Sequence, residues 1–194
     1  MRRNCVAVSV FVLLGCLGRA EAGPITYTET VTGSGSLGGT AFQDALITIV
    51  GTADTANVTM SRPGIFTVLT STNVTVATVG SATFTDIIQA VDNQGNILAG
   101  FGDNTNNLFV AGNHNSAFAT YDLKSPIEPT SGTADINPGE TFATSVGTLE
   151  IDSTSSDGTF SASTTQAVPE PTSMVMLGIG AFGLMRFAGR RRPH

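Results

Sequence analysis

Few side chains in the central part of the chain could do chemistry. Apart from His194 at the C-terminus, the one imidazole is His114, in the polar stretch Asn113-His114-Asn115, which is typical of a turn. The members of a Ser-His-Asp triad meet only in space, so the sequence leaves that alternative open. No nucleophile-elbow motif accompanies His114, however, and we interpret it as a solvated loop residue. We expect no catalytic residues in this protein.

Oxygen-bearing side chains form two loop clusters that could hold a hard cation such as calcium. Neither cluster has the spacing or the terminal Glu of an EF-hand loop. Asp and Asn also close β-turns without any metal, so turn formation is the default interpretation and calcium is the alternative. We expect no other cofactor. The candidate calcium ligands are Asp92, Asn93, Asn96, Asp103, Asn104 and Asn106.

Charge is distributed unevenly along the chain. Residues 23–167 contain thirteen acidic and two basic residues, a net charge of −11, whereas the whole chain has a formal net charge of −6. Such a domain would repel a phosphate backbone, which excludes nucleic acid as a partner. Paired carboxylates could serve a glycosidase. The chain has no Trp and only Tyr27 and Tyr121 to stack on sugar rings, so we interpret the acids as a solvated surface.

The first 22 residues have the pattern of an export signal. Arg2 and Arg3 precede an apolar run at residues 6–17, and a small-x-small cleavage site follows. This pattern predicts a signal peptide over residues 1–22 that signal peptidase removes. The predicted cleavage site is formed by Ala20, Ala22 and Gly23.

Cysteine occurs only within that predicted signal, as Cys5 and Cys16. The remainder of the chain can therefore form no disulfide, thiolate metal site or cysteine nucleophile. Residues 13–16, Leu-Leu-Gly-Cys, also look like a lipobox. Acylation of Cys16, which would make a lipoprotein, is the alternative to peptidase cleavage.

The last 27 residues combine a proline motif, an apolar run and a basic end. Proline fixes φ and lacks a backbone donor, so the motif should be extended and exposed. A helix over about residues 173–187 would be roughly 22 Å long, which is short against a bilayer core of roughly 30 Å. The basic end should stay on the cytoplasmic side as a stop-transfer signal. Its residues are Arg190, Arg191 and Arg192.

These three pieces, in this order behind an export signal, resemble the PEP-CTERM sorting signal of bacterial surface proteins. The matching motif is Val168, Pro169, Glu170 and Pro171. The resemblance implies recognition by an exosortase, a membrane-embedded processing enzyme, and removal of the tail near Pro-Glu-Pro. It also implies an intermediate tethered in the inner membrane and delivery to the cell envelope, outer surface or extracellular space. The alternative is a plain C-terminal membrane anchor.

Between the two ends, the hydrophobic period is two residues, as in β-strands. Ile25, Tyr27 and Val31 alternate with threonines. The stretch Gly33-Ser34-Gly35 predicts a turn, and residues 153–167 predict a hairpin around Asp157-Gly158 followed by a short linker. Further strands are predicted at residues 46–50, 65–69, 74–76, 82–91, 96–101, 108–111, 117–123 and 148–152.

Many short strands without an amphipathic helix predict an all-β fold. We expect a single β-sandwich or jelly-roll domain over residues 23–167. It should be flanked by the signal-peptide helix and by a sorting signal over residues 168–194 that contains the short transmembrane helix. The predicted bulky core residues are Phe42, Phe66, Phe84, Phe101, Phe109, Phe118, Phe142 and Phe160.

Together these features predict an exported, non-enzymatic protein of the cell surface or extracellular matrix. Its processing partners would be signal peptidase and an exosortase, and extracellular polysaccharide is a further expected partner. One alternative is a carbohydrate- or calcium-binding lectin-like module. Another is a hydrolase that uses His114.

Overall fold

The computed structural model describes residues 22–164, which form twelve strands with short connections. The predicted signal-peptide helix and the predicted transmembrane helix at residues 173–187 lie outside the described residues. Within residues 22–164, no helix has the length and apolar character needed to cross a membrane. The strands are β1 (Pro24–Leu37), β2 (Thr40–Asp54), β3 (Thr59–Arg62), β4 (Ile65–Leu69), β5 (Ser71–Val76), β6 (Gly80–Thr83), β7 (Ile88–Asn93), β8 (Leu98–Asp103), β9 (Leu108–His114), β10 (Ile127–Asp135), β11 (Thr141–Thr144) and β12 (Gly147–Thr164).

All twelve strands belong to one antiparallel sheet, which confirms the all-β prediction. The strand order is β3-β4-β7-β8-β9-β10-β12-β1-β2-β5-β6, and β11 pairs with β12 off this path. The long strands β1 and β12 form the centre of the sheet. They pair from Ile25 opposite Thr164 to Leu37 opposite Leu149.

The sheet bends so that its two arms face each other. Strands β4 and β5 are joined by Thr70 alone, yet β4 pairs with β7 on one arm and β5 pairs with β2 on the other. At the bend, the Thr70 N–H donates to the Ile88 carbonyl at 2.9 Å. Across the core, a Cβ on Gly51 of β2 would lie 2.5 Å from the ring of Phe101 of β8. Gly51 is therefore required for the two arms to approach this closely.

The core lies between the two arms and follows from the alternation of apolar residues. In β1, Ile25, Tyr27 and Val31 are buried and the intervening threonines are half-buried. Of the eight predicted core phenylalanines, six are buried, whereas Phe66 and Phe109 are half-buried. An aromatic cluster occupies the centre, where the Phe160 ring lies 5.8–6.2 Å from three other rings. Those rings belong to Tyr27, Phe118 and Tyr121.

The stretch Gly33-Ser34-Gly35 lies inside β1, so the predicted turn there is wrong. The pairing with β12 shifts register around these residues, as in a β-bulge. A Cβ on Gly33 would lie 2.6 Å from the carbonyl oxygen of Ser153, and one on Gly35 would overlap the carbonyl of Glu150. The glycines are there because β12 passes too close for side chains.

The predicted hairpin around Asp157-Gly158 is also wrong, because β12 continues as a strand to Thr164. Gly158 pairs with Val31 of β1 on one side and with Gly132 of β10 on the other. Hydrogen bonding along both edges holds the segment extended, which overrides the local turn preference of Asp-Gly.

One predicted strand is divided into two, and another is partly replaced by a 3₁₀ helix. Residues 82–91 separate into β6 and β7, with a bend between them. Residues 117–123 begin with the 3₁₀ helix Ser116–Thr120 instead of a strand. The side chain of Asn115 caps this helix by accepting a hydrogen bond from the Ala117 N–H at 2.8 Å. An Asn cap of this kind outweighs the apolar alternation that predicts a strand.

Candidate functional site

The two predicted calcium clusters lie at opposite ends of the β7–β8 pair. Asp92 lies opposite Ala99, whereas Asp103 lies opposite Ile88. This register separates the two acids by four residues, or about 13 Å along the strands. Within residues 22–164, no three side chains of His, Cys, Asp or Glu lie close enough together to hold a metal ion. The structure therefore does not join the two clusters into one site.

Each cluster uses side-chain oxygens to close its own turn. The Oδ1 atom of Asn93 accepts from the Asn96 N–H at 3.2 Å. The carboxylate of Asp103, 1% exposed, accepts from the Thr105 N–H at 2.7 Å and from the Asn106 side-chain amide at 2.6 Å. These contacts are those of turn-forming Asx residues. They agree with turn formation, the default interpretation, and calcium at either cluster stays the alternative.

Asp92 faces the core and is not exposed. Neither of its carboxylate oxygens has a hydrogen-bond partner within residues 22–164. Burial raises the pKa of Asp92 to about 8, and the nearby Asp122 carboxylate contributes. Burial also raises the pKa of the Tyr121 hydroxyl, with further contributions from Tyr27, Asp92 and Asp122. At neutral pH, Asp92 is therefore mainly a neutral carboxylic acid inside the core.

A second buried carboxyl, that of Glu29, lies on the inner face of β1 and has no hydrogen-bond partner in the described part of the chain. Burial raises its pKa well above the ordinary value. The buried Oδ1 atom of Asn113, which also has no hydrogen-bond partner among residues 22–164, lies on the same inner face. A Cβ on Gly158 would lie 2.9 Å from Glu29 Oε1 and 3.4 Å from Asn113 Cβ, and a Cβ on Gly132 would lie 3.1 Å from Asn113 Oδ1. The paired glycines leave room for both polar side chains.

Sequence reasoning did not identify Glu29 as a buried residue. The available signal was its place in the alternation, because Glu29 has the same parity as Ile25, Tyr27 and Val31. An unbroken two-residue period in β1 places Glu29 on the core face.

His114 ends strand β9, so its predicted place in a loop is wrong. Its Nδ1 atom lies 2.9 Å from the Asn96 carbonyl oxygen, and its Nε2 atom lies 3.4 Å from the Asp135 carboxylate. The ring is partly exposed. Among the described residues, no Ser or Thr hydroxyl is hydrogen-bonded to this ring. The structure thus brings together an acid and an imidazole without the third member of a triad.

An open groove lies on the outer face of the arm that contains β3, β4, β7, β8 and β9. It has a volume of about 530 Å³. A neighbouring depression of about 460 Å³ shares Thr67, Gln89 and Asn104 with it, so that the two form one elongated surface. We call this surface the outer groove. Both volumes lie within the range of ligand-binding clefts.

The outer groove has an apolar floor that is formed by Leu98 and Gly102 of β8, Leu108 and Phe109 of β9, and Val91 of β7. Gly112 lies beneath the Phe109 ring rather than in the lining, since a Cβ on Gly112 would collide with that ring, whereas one on Gly102 would lie 3.9 Å from it. The half-buried side chain of Val91 lies on the β7 side of the floor. The groove thus has an apolar floor with one aromatic ring.

The rim of the outer groove is rich in amides. Asn104 and Asn107 belong to the exposed turn after β8, and Arg62 lies at the end of the edge strand β3. Asp103 is the one acidic residue of the lining, and its carboxylate is buried and already hydrogen-bonded. Among the described residues the one ion pair joins His114 and Asp135, so the Arg62 guanidinium has no carboxylate partner there.

The chain enters and leaves the sheet at neighbouring points. Gly23, which follows the predicted cleavage site, donates to Thr55 Oγ1 at 3.0 Å and accepts from the Thr55 N–H at 3.0 Å. Ile25 pairs with Thr164, the last described residue. Ala22, the other described residue of the predicted cleavage site, is exposed. The other predicted processing residues lie outside the described part of the chain: Ala20, Val168, Pro169, Glu170, Pro171, Arg190, Arg191 and Arg192.

Comparison with known proteins identifies one segment of the chain. Residues 167–192 match the family model of the PEP-CTERM protein-sorting motif. No curated protein and no solved structure matches the chain. The motif indicates an exported protein that an exosortase processes from a membrane-anchored intermediate for the cell surface. The chain thus carries a PEP-CTERM protein-sorting motif at residues 167–192.

Proposed function

We propose that the protein is a non-enzymatic component of the cell surface or extracellular matrix that associates with extracellular polysaccharide. The observation that carries this proposal is the sorting motif at residues 167–192, which follows a described part that consists of one β-sheet. Once the tail is removed, any function of the mature protein belongs to that sheet and its surfaces.

Processing at both ends would leave about residues 23–167 as the mature protein. In this proposal, signal peptidase cuts before Gly23, and the exosortase cuts near Glu170. Until that second cut, the helix at residues 173–187 and the arginines at residues 190–192 tether the protein in the inner membrane. Two observations support these boundaries. Gly23 is already hydrogen-bonded to Thr55, and β12 ends at Thr164, shortly before the sorting signal.

The mature domain would be sandwich-like, with the two arms of the sheet as its layers. The contact between Gly51 and Phe101 and the aromatic cluster around Phe160 support that arrangement. With both cysteines in the predicted signal peptide, packing alone would stabilise the domain outside the cell.

The surroundings of His114 favour a non-enzymatic role over hydrolysis. Both ring nitrogens face structural partners, namely the Asn96 carbonyl and the Asp135 carboxylate. The buried acids Glu29 and Asp92 lie inside the core, away from any substrate. A hydrolase would need a nucleophile or a water-activating group at an accessible position.

A carbohydrate-binding module is the second candidate function. The outer groove favours it, since its apolar floor carries a ring and its rim carries amides. Calcium binding, the other form of this alternative, would depend on side chains that already close turns at Asn93 and Asp103.

Replacement of the motif glutamate tests the proposed processing. In the producing bacterium, Glu170→Ala should prevent removal of the C-terminal tail and keep the protein in the inner-membrane fraction. Glu140→Ala, which removes an exposed glutamate from the β domain, should be processed like the wild type. Immunoblots of membrane and extracellular fractions would measure both. Normal processing of the Glu170→Ala variant would contradict the assignment of Glu170 to the recognition element.

A further inference from the structure

The outer groove differs in charge from the rest of the domain. Residues 23–167 carry a net charge of −11, yet the lining of the groove includes a single acid, Asp103, which is buried and hydrogen-bonded. It also includes Arg62, one of only two cations in residues 23–167. The groove is thus a nearly carboxylate-free surface on an acidic molecule.

The polar groups of the lining suit hydroxyl groups. Gln89, Asn104 and Asn107 each offer an amide that both donates and accepts hydrogen bonds, and Asn93, whose Oδ1 atom accepts from the Asn96 N–H, offers its amide donors. Arg62 adds donors with no carboxylate partner among the described residues. A ligand with many hydroxyls can use both kinds of group, whereas an apolar peptide side chain would leave them unpaired.

The floor suits a flat, partly apolar face. The Phe109 ring packs over Gly112, and Gly102 next to the ring adds no side chain to the floor. A pyranose ring presents C–H groups on one face and hydroxyls at its edge, so the face can lie on the ring and floor while the edge reaches the amides. The elongated form of the groove suits a chain of sugars better than a single one.

The net charge of the domain favours neutral glycans over acidic ones. A domain with a charge of −11 repels a polymer that carries repeated carboxylates. A single guanidinium, that of Arg62, does not offset that repulsion over several residues of a chain. Neutral sugars meet no such penalty.

We propose that the outer groove binds a strand of neutral polysaccharide, with Phe109 as its stacking platform and with Arg62 and Asn104 as hydrogen-bond donors to hydroxyls. This inference deepens the proposed association with polysaccharide and rests on it. Arg62 and Asn104 have exposed side chains, so their replacement should leave the fold intact.

Calorimetric titration of the full-length chain, held in a polyoxyethylene detergent that has no sugar headgroup, tests the proposal. The probes are neutral hexasaccharides of glucose, mannose, galactose and N-acetylglucosamine, with hexagalacturonate as the charged comparison. At least one neutral probe should bind, and Arg62→Ala and Asn104→Ala should each weaken it about tenfold. The matched control is Lys124→Ala, which removes the other cation of the domain and should bind like the wild type.

Hydrogen–deuterium exchange with the bound probe should protect β7, β8 and the turn at residues 104–107. Absence of binding by every neutral probe, binding of hexagalacturonate alone, or equal weakening by Lys124→Ala would each overturn the inference. None of these outcomes depends on tail cleavage, because the titration uses the unprocessed chain. A failure to bind glycan in the outer groove is therefore distinguishable from a failure of the proposed sorting route.

Discussion

The buried carboxyl of Asp92 makes stability depend on pH. Its pKa rises from 3.8 to about 8 on folding, because burial and then the nearby Asp122 carboxylate disfavour the charged form. The folded state therefore holds the proton more tightly than the unfolded state does. The contribution of this group to stability is fully present below the unfolded pKa and is lost as pH rises through about 8.

The size of the effect follows from the difference between the unfolded and folded pKa values of Asp92. Each pH unit between the two pKa values costs about 1.4 kcal/mol, so a rise from pH 5 to pH 8 should lower the free energy of unfolding by about 4 kcal/mol. Glu29, whose pKa burial also raises, acts in the same direction. Changes of this size are a large part of the total stability of a domain.

Asp92→Asn should remove most of this slope, because an amide does not ionise. Urea unfolding, followed by circular dichroism at pH 5, 6, 7 and 8, would give the free energy of unfolding of each variant. The control is Asp152→Asn, which changes an exposed carboxylate of β12 and should retain the wild-type slope. If Asp92→Asn and Asp152→Asn showed the same slope as the wild type, the reasoning about the buried acid would be refuted.

Three further predictions concern packing and turns. Phe160→Ala should lower the free energy of unfolding by ~3–5 kcal/mol, because it leaves a cavity in the central aromatic cluster; a loss below about 1 kcal/mol would show that this ring is not central. Gly158→Ala should also lower the urea midpoint, since the new Cβ would lie 2.9 Å from Glu29 Oε1, and an unchanged midpoint would argue against that proximity. Asp103→Ala should lower the melting temperature equally with and without millimolar calcium, because it removes the acceptor for two turn hydrogen bonds. A calcium-dependent rise in the wild type alone would instead assign that turn to a metal.

The sequence was sufficient for the all-β class because the period of two is a local property. Ile25, Tyr27 and Val31 reveal the buried face of β1 without any knowledge of its partners. Most of the core phenylalanines could be predicted for the same reason. The C-terminal motif was equally readable, because prolines, an apolar run and arginines act in order along the chain and need no tertiary structure.

The remaining features depend on contacts between distant segments. Asp157-Gly158 has the composition of a hairpin turn, but pairing with Val31 and Gly132 on its two sides keeps it extended. The outer groove likewise is lined by segments that are distant in sequence, because β3, β4, β7, β8 and β9 become neighbours in the sheet. Composition alone favours neither outcome, since glycine suits turns and close strand contacts equally.

The central claim is that both ends of the chain are removed during export. The intact mass of the protein recovered from outside the producing cells tests this most directly. The predicted mass is that of a polypeptide that starts at Gly23 and ends close to Glu170. A mass equal to that of all 194 residues, or recovery of the untrimmed chain from the cytosol alone, would contradict it.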